Sequence, residues 1–205
     1  MITVIIIVAA AIAVTRKSVP QPSPEQPVST EVTNSTINLS HEYKNENMGI
    51  SLRYPVGYSI DENYQYQLGT GKDIGGTQFT IPVAYATGTN LSTDSYFSVE
   101  EIQEISQCTA DMFLDRAPHT QMFTENGVTY SVASTTGAAA GNRYEETVYA
   151  LVDTNPCIAV RYFIHFGVIE NYPEGMVREF DQQVLMNEFD AMRHMLIIEQ
   201  SRTNK

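Results

Sequence analysis

The sequence predicts an α+β domain in which an antiparallel β-sheet is flanked by helices, a three-layer α/β/α sandwich. Three observations lead there. Residues 142–166, NRYEETVYALVDTNPCIAVRYFIHF, read as two long strands, 142–152 and 157–166. Their arms are rich in Val, Ile, Tyr and Phe, and the turn Asp153-Thr154-Asn155-Pro156 is made of turn-favouring residues. In the second arm Ile158, Val160, Tyr162, Ile164 and Phe166 alternate with Cys157, Ala159, Arg161, Phe163 and His165. The first of these faces is wholly apolar and needs a core against it. The second is apolar near the turn and polar away from it, so it needs partial cover. The other two observations are helices to supply that cover, at 98–114 and 176–193.

In the first helix, Ser98 is an N-cap candidate with Glu101 three residues on, and Val99, Ile102, Ile105, Thr109 and Met112/Phe113 make an apolar stripe. The second carries Val177, Phe180, Val184/Leu185, Phe189 and Met192 and follows the turn Tyr172-Pro173-Glu174-Gly175. Between and before them, 42–62 reads as a hairpin and a third short strand. GTGKDIGGT (69–77) reads as a glycine-rich loop, and 78–87 as a strand whose Pro82 demands an edge or a bulge. Residues 120–135 read as a hairpin turning at Glu125-Asn126-Gly127, since Asn-Gly supplies the positive φ angles of a tight turn. Gly137 to Gly141 is small enough for a bulge or a close backbone approach, and Met195 to Ile198 is a short strand that could close the sheet.

Four segments follow: 1–17, an N-terminal hydrophobic anchor or signal segment; 18–41, a disordered Pro/Ser/Thr-rich linker; 42–200, the α+β domain; and 201–205, a tail. The run Ile2 to Val14 is thirteen uncharged residues, and as a helix it reaches about 20 Å, short of a hydrocarbon core of about 30 Å. It lacks a basic n-region, so it reads either as a short anchor or as a signal segment lacking its first residues. The linker holds four prolines and little to bury. Arg16 and Lys17 cancel Glu25 and Glu31, so the whole net charge of −12 lies in 42–205. Such a domain is repelled by nucleic acid and by anionic lipid. Asn34, Asn38 and Asn90 begin sequon-shaped triplets that matter only in a source that glycosylates.

Two cysteines, Cys108 and Cys157, suit a disulfide in an exported domain better than two free thiols. The bridge would set the first helix over the Cys157/Ala159 face and leave the other face to the C-terminal helix.

Chemistry is harder to find. There is no G-x-S-x-G, H-E-x-x-H or C-x-x-C motif, and the glycine loop fails as a phosphate loop because Tyr66 and Asp73 stand where Gly and Ser/Thr are required. His41, His119, His165 and His194 are far apart, so no metal site, cofactor or catalytic residue is assigned. The best constellation is the polar end of the central hairpin. A four-residue turn sets Tyr144 opposite His165, Glu146 opposite Phe163 and Val148 opposite Arg161, with Glu146 diagonal to Arg161. Tyr144, Glu146, Arg161 and His165 are thus the candidate binding residues, and a structural ion pair is the plainer account of the same geometry.

The opening Asn47-Met48-Gly49-Ile50-Ser51-Leu52-Arg53-Tyr54-Pro55, ending at Gly57-Tyr58, together with the hairpin and a final Phe/Leu-rich helix, resembles the PsbP/Mog-like α/β/α sandwich. Tyr162-Phe163-Ile164-His165, Asn171-Tyr172-Pro173 and Glu179-Phe180-Asp181 resemble uncharacterised bacterial membrane-anchored proteins. The resemblance covers about 42–200 and implies a non-catalytic adaptor or assembly role, with no active residues to carry over. The expectation is therefore a membrane-tethered extracytoplasmic module, periplasmic or at the cell surface, held by residues 2–14 and binding an envelope protein or surface polymer. The alternative is a small hydrolase or other enzyme with a cleft at the polar end of the hairpin.

Overall fold

The computed structural model describes residues 37–199 except 70, 117 and 118. The hydrophobic run 2–14, most of the linker and the tail lie outside the described residues. Among the described residues no helix is long and apolar enough to cross a membrane.

Among the described residues ten strands form two antiparallel sheets. The smaller is made of β1 (His41–Asn45), β2 (Ile50–Tyr54) and β10 (Ile197–Ile198), with β2 in the middle. The larger has seven strands: β3 (Ser59–Leu68), β4 (Lys72–Thr80), β5 (Tyr96–Ile102), β6 (Gln121–Glu125), β7 (Val128–Ala139), β8 (Asn142–Leu151) and β9 (Cys157–Gly167). Their order across the sheet is β3-β4-β5-β9-β8-β7-β6. Helices are few among the described residues: one turn, α1 (Val83–Ala86), and α2 (Gln182–His194).

The β8/β9 hairpin is central, as its composition predicts, and the Asn126-Gly127 turn carries φ of 51° and 81° between β6 and β7. On one face of the large sheet Phe79, Phe97, Val99, Ile158, Val160, Tyr162 and Ile164 meet Leu185, Phe189 and Met192 of α2 and Tyr43, Ile50 and Leu52 of the small sheet. Burying these side chains is the main favourable term of the fold. Asp181 caps α2 by accepting from the Val184 N–H at 3.0 Å.

The other face overturns the predicted three layers. Residues 98–114 are not a helix. Their first part is the inner strand β5, paired to β4 and β9, and their remainder contains only one 3₁₀ turn, Ala110–Phe113. The residues alternate with period two: Phe97 and Val99 join the α2-side core, while Ser98 and Glu100 face away and Ile102 joins the opposite core. The apparent capping pair was misleading, because the Ser98 hydroxyl bonds Glu100 within the strand. The second face is therefore plugged by an irregular segment. Cys108, Ala110, Phe113 and Leu114 pack on Ala133, Val148, Ala150, Cys157 and Ala159. The Cys108–Cys157 disulfide staples that segment to the sheet, on the face that the pairing implied. The fold is thus β-rich, with a helix on one face only.

Smaller corrections have local causes. The glycine-rich stretch is mostly β4, where Gly76 lets the strand approach β5: an added Cβ there would lie 2.3 Å from the Val99 carbonyl oxygen. The strand expected through Thr87 stops at Thr80, and α1 begins after Pro82. Gly141 forms the β7/β8 turn together with Ala140, both at positive φ. The terminal strand closes the small sheet through β2, not the large one.

Candidate functional site

The register of the central hairpin is as predicted: Tyr144 pairs with His165, Glu146 with Phe163 and Val148 with Arg161. What the sequence could not supply was Glu100. β5 lies on the other side of β9 and sets Ser98 opposite Arg161, so Glu100 reaches the guanidinium from the flank. Arg161 Nε donates to Glu100 Oε1 at 2.7 Å, and Nη2 donates to Glu100 Oε2 at 2.9 Å and to the Phe113 carbonyl at 2.7 Å. Nη1 donates to Glu146 Oε2 at 2.5 Å, the predicted diagonal pair. The guanidinium carbon lies 3.5 Å from the centre of the Tyr66 ring. Ser98 Oγ and Tyr64 Oη donate to Glu100 Oε1 at 2.8 and 3.1 Å.

Arg161 and Glu100 are both fully buried. Burial alone would lower the pKa of Arg161, but the charges of Glu100 and Glu146 outweigh it, so the guanidinium stays protonated. Burial, then the Glu100 charge, drives the Tyr64 hydroxyl far above the usual tyrosine range, fixing it as a donor. Every member has a partner; Arg161, Glu100, Ser98 and Tyr64 are buried, and Glu146 and Tyr66 are partly exposed at its edge. This half of the candidate site is a saturated network inside the protein.

Four residues along the same face the strand comes to the surface. His165 stacks on Tyr144 with ring centres 4.4 Å apart, and its Nδ1 lies 2.8 and 3.0 Å from the two oxygens of Asp94. The backbone of His165 is held by Ser95: its N–H donates to Ser95 Oγ at 3.0 Å, and its carbonyl accepts from the Ser92 N–H at 2.8 Å. The second ring nitrogen, Nε2, is out of solvent and has no protein partner among the described residues. Asp94 is the opposite case, with its side chain 63% exposed. Asp94 and His165 line an open depression of about 480 Å³ with Ser92 and Thr93, walled by Val83, Ala86 and Leu91.

The tyrosines at the start of the domain are tied into the fold and form no exposed aromatic patch among the described residues. Tyr58 is buried and donates to Glu188 at 2.6 Å, Tyr64 belongs to the Arg161 network, Tyr66 underlies the guanidinium, and Tyr54 packs on Phe79. Among the described residues no three His, Cys, Asp or Glu side chains gather as a metal site. His194 instead meets Glu125 at 2.6 Å. The Asn90 sequon is occupied structurally: its amide donates to the Gly167 carbonyl at 2.8 Å and its oxygen accepts from the Phe180 N–H. Asp94 was missed because its partner lies 71 positions away, and a Thr-Asp-Ser loop carries no pattern that marks it.

No family model and no curated protein matches the chain. Similar solved structures include a protein of Bacteroides thetaiotaomicron VPI-5482, at TM-score 0.45 and 10% identity over 80% of this chain and 50% of that one. They also include cyanobacterial PsbP (CyanoP) from Synechocystis sp. PCC 6803, at TM-score 0.44 and 12% identity over 77% of this chain and 91% of that one. The chain spans about half the length of the Bacteroides protein. Likenesses this remote carry no residue role across.

Proposed function

We propose that the chain is a membrane-tethered, extracytoplasmic binding or assembly module that engages an envelope partner at the Asp94–His165 depression. The carrying observation is the contrast between the two ends of the candidate site. The charges at Arg161 are sealed and mutually satisfied, whereas Asp94 is exposed, oriented by His165 and edged by Val83, Ala86 and Leu91. A carboxylate on an open, partly apolar ledge suits a basic side chain presented by a larger partner; an enclosed substrate needs a deeper site. The geometry also speaks against a hydrolytic base at His165. With Nδ1 held by Asp94 the base would be Nε2, and that atom is out of solvent. The extracytoplasmic placing is supported by the disulfide, which persists in oxidising compartments, and tethering by the apolar run 2–14.

The test is cross-linked capture from native membranes with the oxidised full chain as bait, compared with Asp94→Arg and Val83→Asp. The reading expects one saturable partner whose recovery falls about tenfold or more in both variants at unchanged Tm, since reversing an interfacial charge costs at least that factor. A partner captured equally by all three chains would place binding elsewhere. Turnover of a substrate panel that Asp94→Arg abolishes would replace binding by catalysis.

A further inference from the structure

Strand β6 is the outermost strand of the large sheet, and among the described residues it pairs on one side only, with β7. Its five residues, QMFTE, are exposed or half-exposed; Met122 is 65% and Phe123 41% accessible. The opposite edge is built differently. β3 carries Asp61 and Glu62 and a register break between Asp61 and Tyr64, which are the devices by which proteins discourage edge pairing. β6 keeps its register along its whole length and has one charge, Glu125, which is already matched by Arg193 Nη2 at 2.8 Å and His194 Nε2 at 2.6 Å. In a chain of net charge −12, this edge is locally neutral.

Phe123 also ends a run of aromatic side chains on its face of the sheet. A ladder of rings crosses the sheet, one per strand: Phe79, Phe97, Tyr162, Tyr149, Tyr130 and Phe123. Successive centres are 6.1, 5.8, 5.0, 5.9 and 6.4 Å apart. Each inner ring has aromatic neighbours on both sides, and Phe123 has one on the inside only.

We propose that β6 pairs antiparallel with β6 of a second copy of this chain about a two-fold axis at Phe123. This goes beyond the binding role proposed above and does not depend on it. The strand is self-complementary in that register. Phe123 meets Phe123 and joins the two ladders, Met122 meets Thr124 on the other face, and Glu125 meets the uncharged Gln121, so no like charges oppose each other. Main-chain hydrogen bonds across the edge supply affinity, as in strand addition generally.

The experiment uses the full oxidised chain in mild detergent, with benzoylphenylalanine at position 123, which keeps an aromatic ring there. Irradiation is expected to give a covalent homodimer whose cross-linked peptide holds 121–125 from both copies. Sedimentation should show a dimer that Phe123→Lys weakens by at least about tenfold at unchanged Tm, because two lysines would face each other on the axis. The proposal is overturned by a chain monomeric at every concentration, by cross-links that fall on another protein or on residues outside β6, or by a dimer that survives Phe123→Lys.

Discussion

At the scale of single residues, the molecule separates charge that builds the fold from charge that meets solvent. Arg161 is paired bidentately with Glu100 in the sheet interior, and the pair is stable because Glu146 and the Phe113 carbonyl also accept from the guanidinium while Ser98 and Tyr64 donate to Glu100. Arg161→Met removes one partner and strands the other. A loss of about 3–5 kcal/mol is expected, read from urea midpoints, because Glu100 is left buried and uncompensated. Arg161→Met combined with Glu100→Gln should recover part of that loss; a double variant no better than the single one would show that packing, not charge, sets the cost. The predicted Glu146–Arg161 diagonal was legible because a four-residue turn fixes hairpin register. Glu100 was not, because only the neighbour that β5 finds across β9 brings it there.

Among the elements, β6 and α2 show how an edge is tied down. Glu125 at the end of β6 receives His194 and Arg193 from the end of α2, 69 and 68 positions away. The His194 hydrogen bond, then that of Arg193, holds the Glu125 carboxyl below the usual glutamate range. A carboxylate whose folded pKa is depressed stabilises the fold above its unfolded pKa, and that contribution is lost as pH falls through the folded value. Wild type should therefore lose more urea resistance than Glu125→Gln on going from about pH 5 to about pH 3. Equal losses in the two chains would mean that the clamp does not matter to folding. The same scale explains the failed helix. Ser98 and Glu101 have capping-box spacing, and Val99, Ile102 and Ile105 make a passable helical stripe, but Phe97/Val99 against Ser98/Glu100 is an equally good strand. Two open strand partners, β4 and β9, decided between them.

For the whole molecule, the disulfide substitutes for the missing helical layer. The segment 103–116 has one 3₁₀ turn to order it, yet it must cover the sheet, and the bridge spans a separation of 49 residues to pin it at Cys157. Cys108→Ser with Cys157→Ser should lower stability by about 4 kcal/mol, roughly 10 °C in Tm for a domain of this size. A drop of a degree or less would mean that Phe113 and Leu114 hold the segment unaided.

The sequence by itself determined the features that depend on near neighbours. These are the central hairpin and its register, the Asn126-Gly127 turn, the pairing of the only two cysteines, and the Leu185, Phe189 and Met192 part of the last helix's stripe; the helix itself starts at Gln182, so the predicted Val177 and Phe180 precede it, and Val184 is exposed. Each follows from backbone preference, period or count. The tertiary structure alone decided which partners distant segments would find: that 96–102 is an inner strand, that Arg161 is sealed by Glu100, and that Asp94 stands at the surface beside His165. The physical reason is that a strand, unlike a helix, satisfies its backbone only through neighbours remote in sequence. Its identity, and the fate of every charge on it, is settled when the sheet assembles.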